Sequence, residues 1–220
     1  MIHVSNFSKQ YQKRKILTTG GVDFPQKGIS FIMGANGSGK TTFLKCIAGL
    51  ENYTGDISLC VPQNEVLILW DDTPFYPNLS GTDNIKLFAP HCQEKDIEKE
   101  STMFFPSSKL RQKVKHFSYG EKKKLSIILA ILKDPSILIM DEITNGLDYE
   151  SLCLLKSYIL RLSQKRLIIL TGHQFAFYDD LPIHTVVFIH NGSLASVKKE
   201  STQSLERIYH EEVIATRTRI

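Results

Sequence analysis

The chain has 220 residues, a formal net charge of +4, 42% hydrophobic residues and 23% charged residues. These proportions are ordinary for a globular protein and allow one large domain or a core with a subdomain. The charge is too weak to argue for DNA or RNA. The lysine-rich stretch from Lys109 to Lys124 has few interleaved aromatics and reads as a solvated face, so no direct nucleic-acid partner is expected.

The opening "IHVSNF" alternates like a strand, and after a polar turn "KILTTGGVDF" continues in the same manner. "GISFIM", Gly28 to Met33, is a short apolar run that predicts a buried strand ending at Gly34. "KTTFLKCIAGL" follows with Phe43, Leu44, Ile47 and Leu50 on one helical face and Gly49 as a stop. "YTGDISLCVPQNEVLILW" predicts a hairpin with its turn around Pro62–Asn64. From Asp72 to about Phe117, prolines, polar residues and short helical segments suggest a subdomain. "SYGEKKKLSIILAILKD" predicts a helix, "PSILIMDE" a strand, "DYESLCLLKSYILRL" a helix with Leu152, Leu155, Ile159 and Leu162 in register, and "RLIILTGH" a strand. "TVVFIHNGSLASV" predicts a hairpin turning at Asn191-Gly192. Strands alternating with helices point to an α/β fold with a mostly parallel sheet, extended by antiparallel strands from the hairpins.

The four cysteines, Cys46, Cys60, Cys92 and Cys153, form no C-x-x-C pair, which argues against a zinc or redox motif. They read as reduced thiols buried as small hydrophobes. The N-terminus lacks the apolar core of a signal peptide, and runs such as "IILAIL" are far shorter than the roughly 20 residues of a membrane span.

The chemistry is concentrated in "GANGSGKTT", Gly34 to Thr42, which matches G-x-x-x-x-G-K-[ST] between a predicted strand and a predicted helix. Glycines let consecutive backbone N–H groups face one anion, and the helix starting at Lys40 aims its positive end at the same point. Gly34, Ala35, Asn36, Gly37, Ser38, Gly39, Lys40, Thr41 and Thr42 are therefore candidate nucleotide ligands. Lys40 reaches the β- and γ-phosphates and the Thr41 hydroxyl ligates Mg²⁺. In "ILIMDE" an apolar strand ends in two carboxylates; Asp141 is suited to hold Mg²⁺ and Glu142 to polarise an attacking water.

With "FSYGE" (Phe117–Glu121) about twenty residues before that acidic pair, "NGLD" (Asn145–Asp148) after it and "TGH" ending at His173, the ordered set resembles the ATP-binding cassette (ABC) ATPase family. "FSYGE" stands where the family carries LSGGQ, "NGLD" resembles its D-loop, and His173 its switch histidine. Tyr11 lies at the usual distance for an adenine-stacking aromatic. The resemblance spans about Ile2 to Val197. It implies a P-loop NTPase core, with an N-terminal antiparallel β subdomain, over 1–70 and 118–220, and a short helical subdomain over about 72–117, all one ABC ATPase domain over 1–220. It further implies that ATP is sandwiched between two such domains in a homo- or heterodimer. Ser118 and the Gly120 N–H then touch the γ-phosphate bound by the partner, His173 holds that phosphate and the water, and Asp148 couples the two sites. The implied protein is cytoplasmic, peripheral on the inner face of the membrane. It drives a separate transmembrane permease, and "FYPNLS" and "TNGLD" resemble exporter ATPases.

Three positions depart from the family pattern. Asp71 stands where the Q-loop glutamine belongs, Gln63 being too early in the chain; its carboxylate either adds negative charge near the γ-phosphate or lies against Mg²⁺. Tyr119 replaces the first signature glycine and Glu121 the glutamine. These departures keep open a non-transport ABC ATPase or a weakly hydrolysing regulator. A small-molecule P-loop kinase would share the phosphate loop but has no use for the signature.

Overall fold

The computed structural model describes residues 1–72, 74–200 and 202–214. The described residues form two compact units, one made of Met1–Ile68, Ser136–Asp141 and 159–214, the other of Leu69–Pro135 and Glu142–Tyr158.

The first unit carries two sheets. In the smaller, β1 (Ile2–Tyr11) pairs antiparallel with β2 (Arg14–Leu17), with β4 (Val22–Phe24) and with β6 (Thr54–Leu59). The larger has the order β3-β11-β10-β5-β9-β8-β7, built from β3 (Thr19–Gly20), β5 (Gly28–Gly34), β7 (Val66–Leu69), β8 (Ile137–Met140), β9 (Leu167–Thr171), β10 (Ile183–His190) and β11 (Ser193–Lys198). Strands β10, β5, β9 and β8 run parallel, and β11 returns antiparallel to β10. Strands β5, β8 and β9 are buried almost throughout, as expected of parallel strands covered on both faces. The α/β fold with a mostly parallel sheet and added antiparallel strands agrees with the sequence. So does the late hairpin, whose Asn191 and Gly192 both take positive φ (47° and 79°).

Helix α1 (Lys40–Ile47) buries Phe43, Leu44, Cys46 and Ile47, which join a core with Phe7, Phe24, Ile32, Ile139 and Ile169. It ends in a paired terminus: the Gly49 N–H donates to Cys46 O and the Leu50 N–H to Lys45 O. That turn carries Leu50 off the helical face and leaves it 59% exposed, which corrects its expected core position. Helices α7 (Phe175–Asp179) and α8 (Leu205–Tyr209) complete the unit.

The hairpin expected over Tyr53–Trp70 does not form. Its two strands join different sheets, β6 beside β1 and β7 at the edge of the larger sheet, with a 3₁₀ turn over Gln63–Glu65 between them. The residue pattern explains the split: "VLIL" is continuously apolar and suits the larger sheet, whereas β6 is largely exposed. The cysteines also depart from expectation. Cys46 is buried and Cys92 partly so, but Cys60 and Cys153 are exposed, because they sit after the end of β6 and on the outer face of a helix.

The second unit is helical: α2 (Gly81–Phe88), α3 (Glu94–Ser101), α4 (Ser107–Leu110), α5 (Tyr119–Lys133) and the start of α6 (Tyr149–Ser163). Ser80 and Asp83 cap α2 reciprocally, and buried Asn84 bonds both the N–H and the O of Tyr76, pinning the "FYPNLS" segment. Its core includes Phe75, Ile85, Ile97, Phe105, Leu110, Phe117 and Leu125.

Candidate nucleotide site

In the first unit the adjacent parallel strands β5, β9 and β8 present their C-terminal ends on one edge of the sheet, the usual ligand-binding edge of an open α/β sheet. The glycine-rich loop leaves β5 there and enters α1 at Lys40. Gly39 makes the sharp entry: its φ is 106°, and a Cβ would lie 2.9 Å from Ile16 Cγ2. The Lys40 ammonium, on a buried side chain, donates to Gly34 O at 2.8 Å and Ala35 O at 3.3 Å, which holds it at the loop. Beside the loop, Arg14, Lys15 and Ile16 and the β10–β11 turn line a cleft together with Ala35–Ser38. Asn36 and Gly37 are exposed at the loop tip, and Thr42 is half-buried as the third residue of α1.

The Thr41 hydroxyl donates to Asp141 Oδ2 at 2.9 Å, joining residues 100 positions apart. On its other oxygen, Asp141 accepts the Thr171 hydroxyl at 2.6 Å. Thr171 is the last residue of β9 and fully buried, and it leads into Gly172 and exposed His173. Thr171 opens the "TGH" stretch, but the sequence does not mark it, because a threonine ending a strand usually needs no special role. Tyr11, at the end of β1, is 41% exposed, with the Lys9 ammonium 4.5 Å from its ring centre.

These groups fit a nucleotide triphosphate with Mg²⁺. Among the described residues, the buried Ser38 hydroxyl in the loop has no hydrogen-bond partner. The Thr41 hydroxyl and Asp141 carboxylate form the all-oxygen pair that a hard cation prefers. Lysine and consecutive N–H groups at a helix start suit phosphate.

In the second unit Ser118 is the N-cap of α5. Its hydroxyl accepts the Glu121 N–H at 3.2 Å, and its N–H donates to the Glu121 carboxylate at 2.7 Å. Glu121 is thus the third residue of a capping box. Burial alone would raise its carboxyl, but the Lys109 ammonium at 2.7 Å and the Ser118 N–H outweigh that and hold it below the usual range. Gly120 is packed so closely that a Cβ would lie 2.4 Å from Gly146 O, and a Cβ on Gly146, at φ 74°, would lie 2.5 Å from Tyr119 Cδ1. Asp148 accepts Lys124 Nζ and the Ser151 N–H, both at 2.8 Å, capping α6; these donors hold its carboxyl well below the usual range.

Asp71 is also in this unit. Its Oδ1 accepts the Tyr119 hydroxyl, the Lys123 ammonium at 2.7 Å and Asn145 Nδ2 at 3.3 Å. Burial would raise this carboxyl, but the three donors together hold it low, and burial with the Asp71 contact raises the Tyr119 phenol. Glu142 accepts Asn145 Nδ2 at 2.9 Å on its carboxylate and Lys123 Nζ at 2.6 Å on its main-chain carbonyl. Lys123 and Asn145 were absent from the residues picked out by sequence, although both lie inside quoted motifs; nothing in their spacing marks them.

A family profile described as ABC transporter matches residues 18–145, more than half of the chain. The chain belongs to the ABC transporter family. It is 26% identical to the lantibiotic transport ATP-binding protein SrtF of Streptococcus pyogenes over 234 aligned positions that cover 100% of both chains. It is also 26% identical to the bacitracin transport ATP-binding protein BcrA of Enterococcus faecalis, covering 88% of this chain and 68% of that one. A solved structure described as the ATP-binding subunit of an ABC transporter superposes with a TM-score of 0.87 at 24% identity, covering 96% of this chain and 98% of its own; it establishes the likeness of fold. Among the described residues no helix is long and apolar enough to cross a membrane.

Proposed function

We propose that this family member is the ATP-hydrolysing subunit of an exporter, working on the inner face of the membrane against a separate membrane-spanning subunit. The observation that carries the reading is the Thr41–Asp141 hydrogen bond at the mouth of the glycine-rich loop, which joins the phosphate loop to the acid ending β8. In this reading the N–H groups of Gly34–Thr42 and the Lys40 ammonium hold the β- and γ-phosphates, and Tyr11 stacks on adenine. Thr41 and Asp141 would hold Mg²⁺; the ion, when bound, neutralises charge on the phosphates. Glu142 polarises the water that attacks the γ-phosphorus, and His173 keeps that water and phosphate aligned. Ser118 and Gly120 act on the nucleotide of a second subunit, and Asp148 links the two sites. A role in transport is supported by the lantibiotic and bacitracin transport relatives, and its outward direction by the likeness of "FYPNLS" and "TNGLD" to exporter motifs.

Lys40→Ala should weaken binding of a fluorescent ATP analogue by about 100-fold or more, the loss of a charge-assisted phosphate contact with its positioning. Glu142→Gln should retain binding, cut turnover by about 100-fold or more and accumulate an ATP-bound dimer on size exclusion. Retained affinity in the first variant, or unchanged turnover in the second, overturns the corresponding role. A weakly hydrolysing regulator is the second reading, favoured by the departures at Asp71 and Tyr119. ATPase activity that a co-purified membrane subunit does not stimulate would favour it.

A further inference from the structure

Two departures from the family pattern, 48 residues apart, meet: the Tyr119 hydroxyl donates to Asp71 Oδ1. The same oxygen accepts Lys123 Nζ and Asn145 Nδ2. Those two donors are also the groups that hold Glu142, Lys123 at its carbonyl oxygen and Asn145 at its carboxylate. Glu142 has φ 51°, a left-handed conformation that a residue with a side chain adopts only when its surroundings impose it. Lys123 is 2% exposed, and its ammonium lies 5.0 Å from the Tyr119 ring centre. Burying an ammonium is costly unless it is paired, and Asp71 supplies a carboxylate at 2.7 Å where a glutamine would be neutral.

We infer that Asp71 is a positioning residue, the hub of a clamp that acts through Lys123 and Asn145 to fix the backbone and carboxylate of Glu142. The inference deepens the proposed function and rests on its assignment of Glu142 as the water-polarising group. The acid at the Q-loop position is then matched to Lys123 and is not an impairment: its negative charge is balanced locally, and Tyr119 occupies the space beside Gly146 while its hydroxyl completes the hub.

The test uses the full chain with Mg²⁺ and ATP. Asp71→Asn, which keeps the shape and removes the charge, and Asn145→Ala should each lower kcat by about tenfold or more, while affinity for a fluorescent ATP analogue stays within about twofold. Neither should lower the residual turnover further in a Glu142→Gln background, because both act through that residue. Asp71→Gln, which restores the family residue, should also lower kcat; a rise overturns the clamp. Wild-type kcat in Asn145→Ala, or a fall in nucleotide affinity equal to the fall in kcat/KM, overturns it as well. Should the Asp71 variants melt early, Asn145→Ala leaves the Asp71–Lys123 pair intact and decides by the same criteria. Unchanged turnover in Glu142→Gln overturns the underlying reading of function, whereas loss there with normal kcat in Asn145→Ala overturns the clamp alone.

Discussion

The phosphate loop and the Asp71 cluster are built on different principles. The loop is main chain: a turn between β5 and α1, closed by Gly39 at φ 106°, with Lys40 bonded back to two carbonyls of its own loop. The cluster is side chain: one carboxylate oxygen collects donors from Tyr119, Lys123 and Asn145, brought from 48, 52 and 74 residues away. Apart from Lys40 and Thr41, whose side chains act, the loop tolerates any side chain that leaves the turn intact, whereas a side-chain site fails when one partner changes and others do not. Departures from a family pattern should therefore come in matched sets in the second kind of site, and Asp71 with Tyr119 is such a set.

The comparison can be sharpened by stability measurements, taking the largest expected effect first. Thr171→Val removes a fully buried hydroxyl from Asp141 and should cost about 2 kcal/mol in chemical denaturation, the range for a hydrogen bond to a charged group. A cost near zero would show that Asp141 is held by Thr41 alone. Gly146→Ala should cost about 1–3 kcal/mol, since its Cβ meets the Tyr119 ring and its φ is positive. In a Tyr119→Ala background the penalty should shrink to the backbone part, and full additivity would break the claim that these residues are fitted to each other.

The smallest effect is expected at Glu121→Gln, which keeps the capping box and gives up only the Lys109 ion pair. That pair is partly exposed, at 18% and 29%, and the substitution should cost less than about 1 kcal/mol. Because the Glu121 carboxyl is held below its ordinary value of 4.5, its contribution is complete above that pH. The contribution is lost as pH falls through the folded-state value. The difference between wild type and variant should therefore be present at neutral pH and close in acid.

Most of the fold was legible. Buried parallel strands announce themselves as unbroken apolar runs, as in "GISFIM", "ILIM" and "LIIL", and Asn191-Gly192 marks its turn because few other pairs take positive φ twice. The misread hairpin shows the boundary of that legibility. A strand pattern tells that "DISL" and "VLIL" extend but not which sheet each joins, since partner choice depends on which apolar faces are already covered. The capping role of Glu121 is open to view as S-x-x-E, whereas the family likeness marks it only as the replacement of the signature glutamine.

By itself the sequence determined the glycine-rich turn between β5 and α1, because a turn between an apolar strand and a helix is a local conformation set by φ, ψ and adjacent residues. Only the tertiary structure decided that Thr171 and Thr41 share Asp141, and that Asp71, Tyr119, Lys123, Asn145 and Glu142 form one network. Those partnerships arise from packing across tens of residues, and neither spacing nor residue type encodes which buried donor will meet which acceptor.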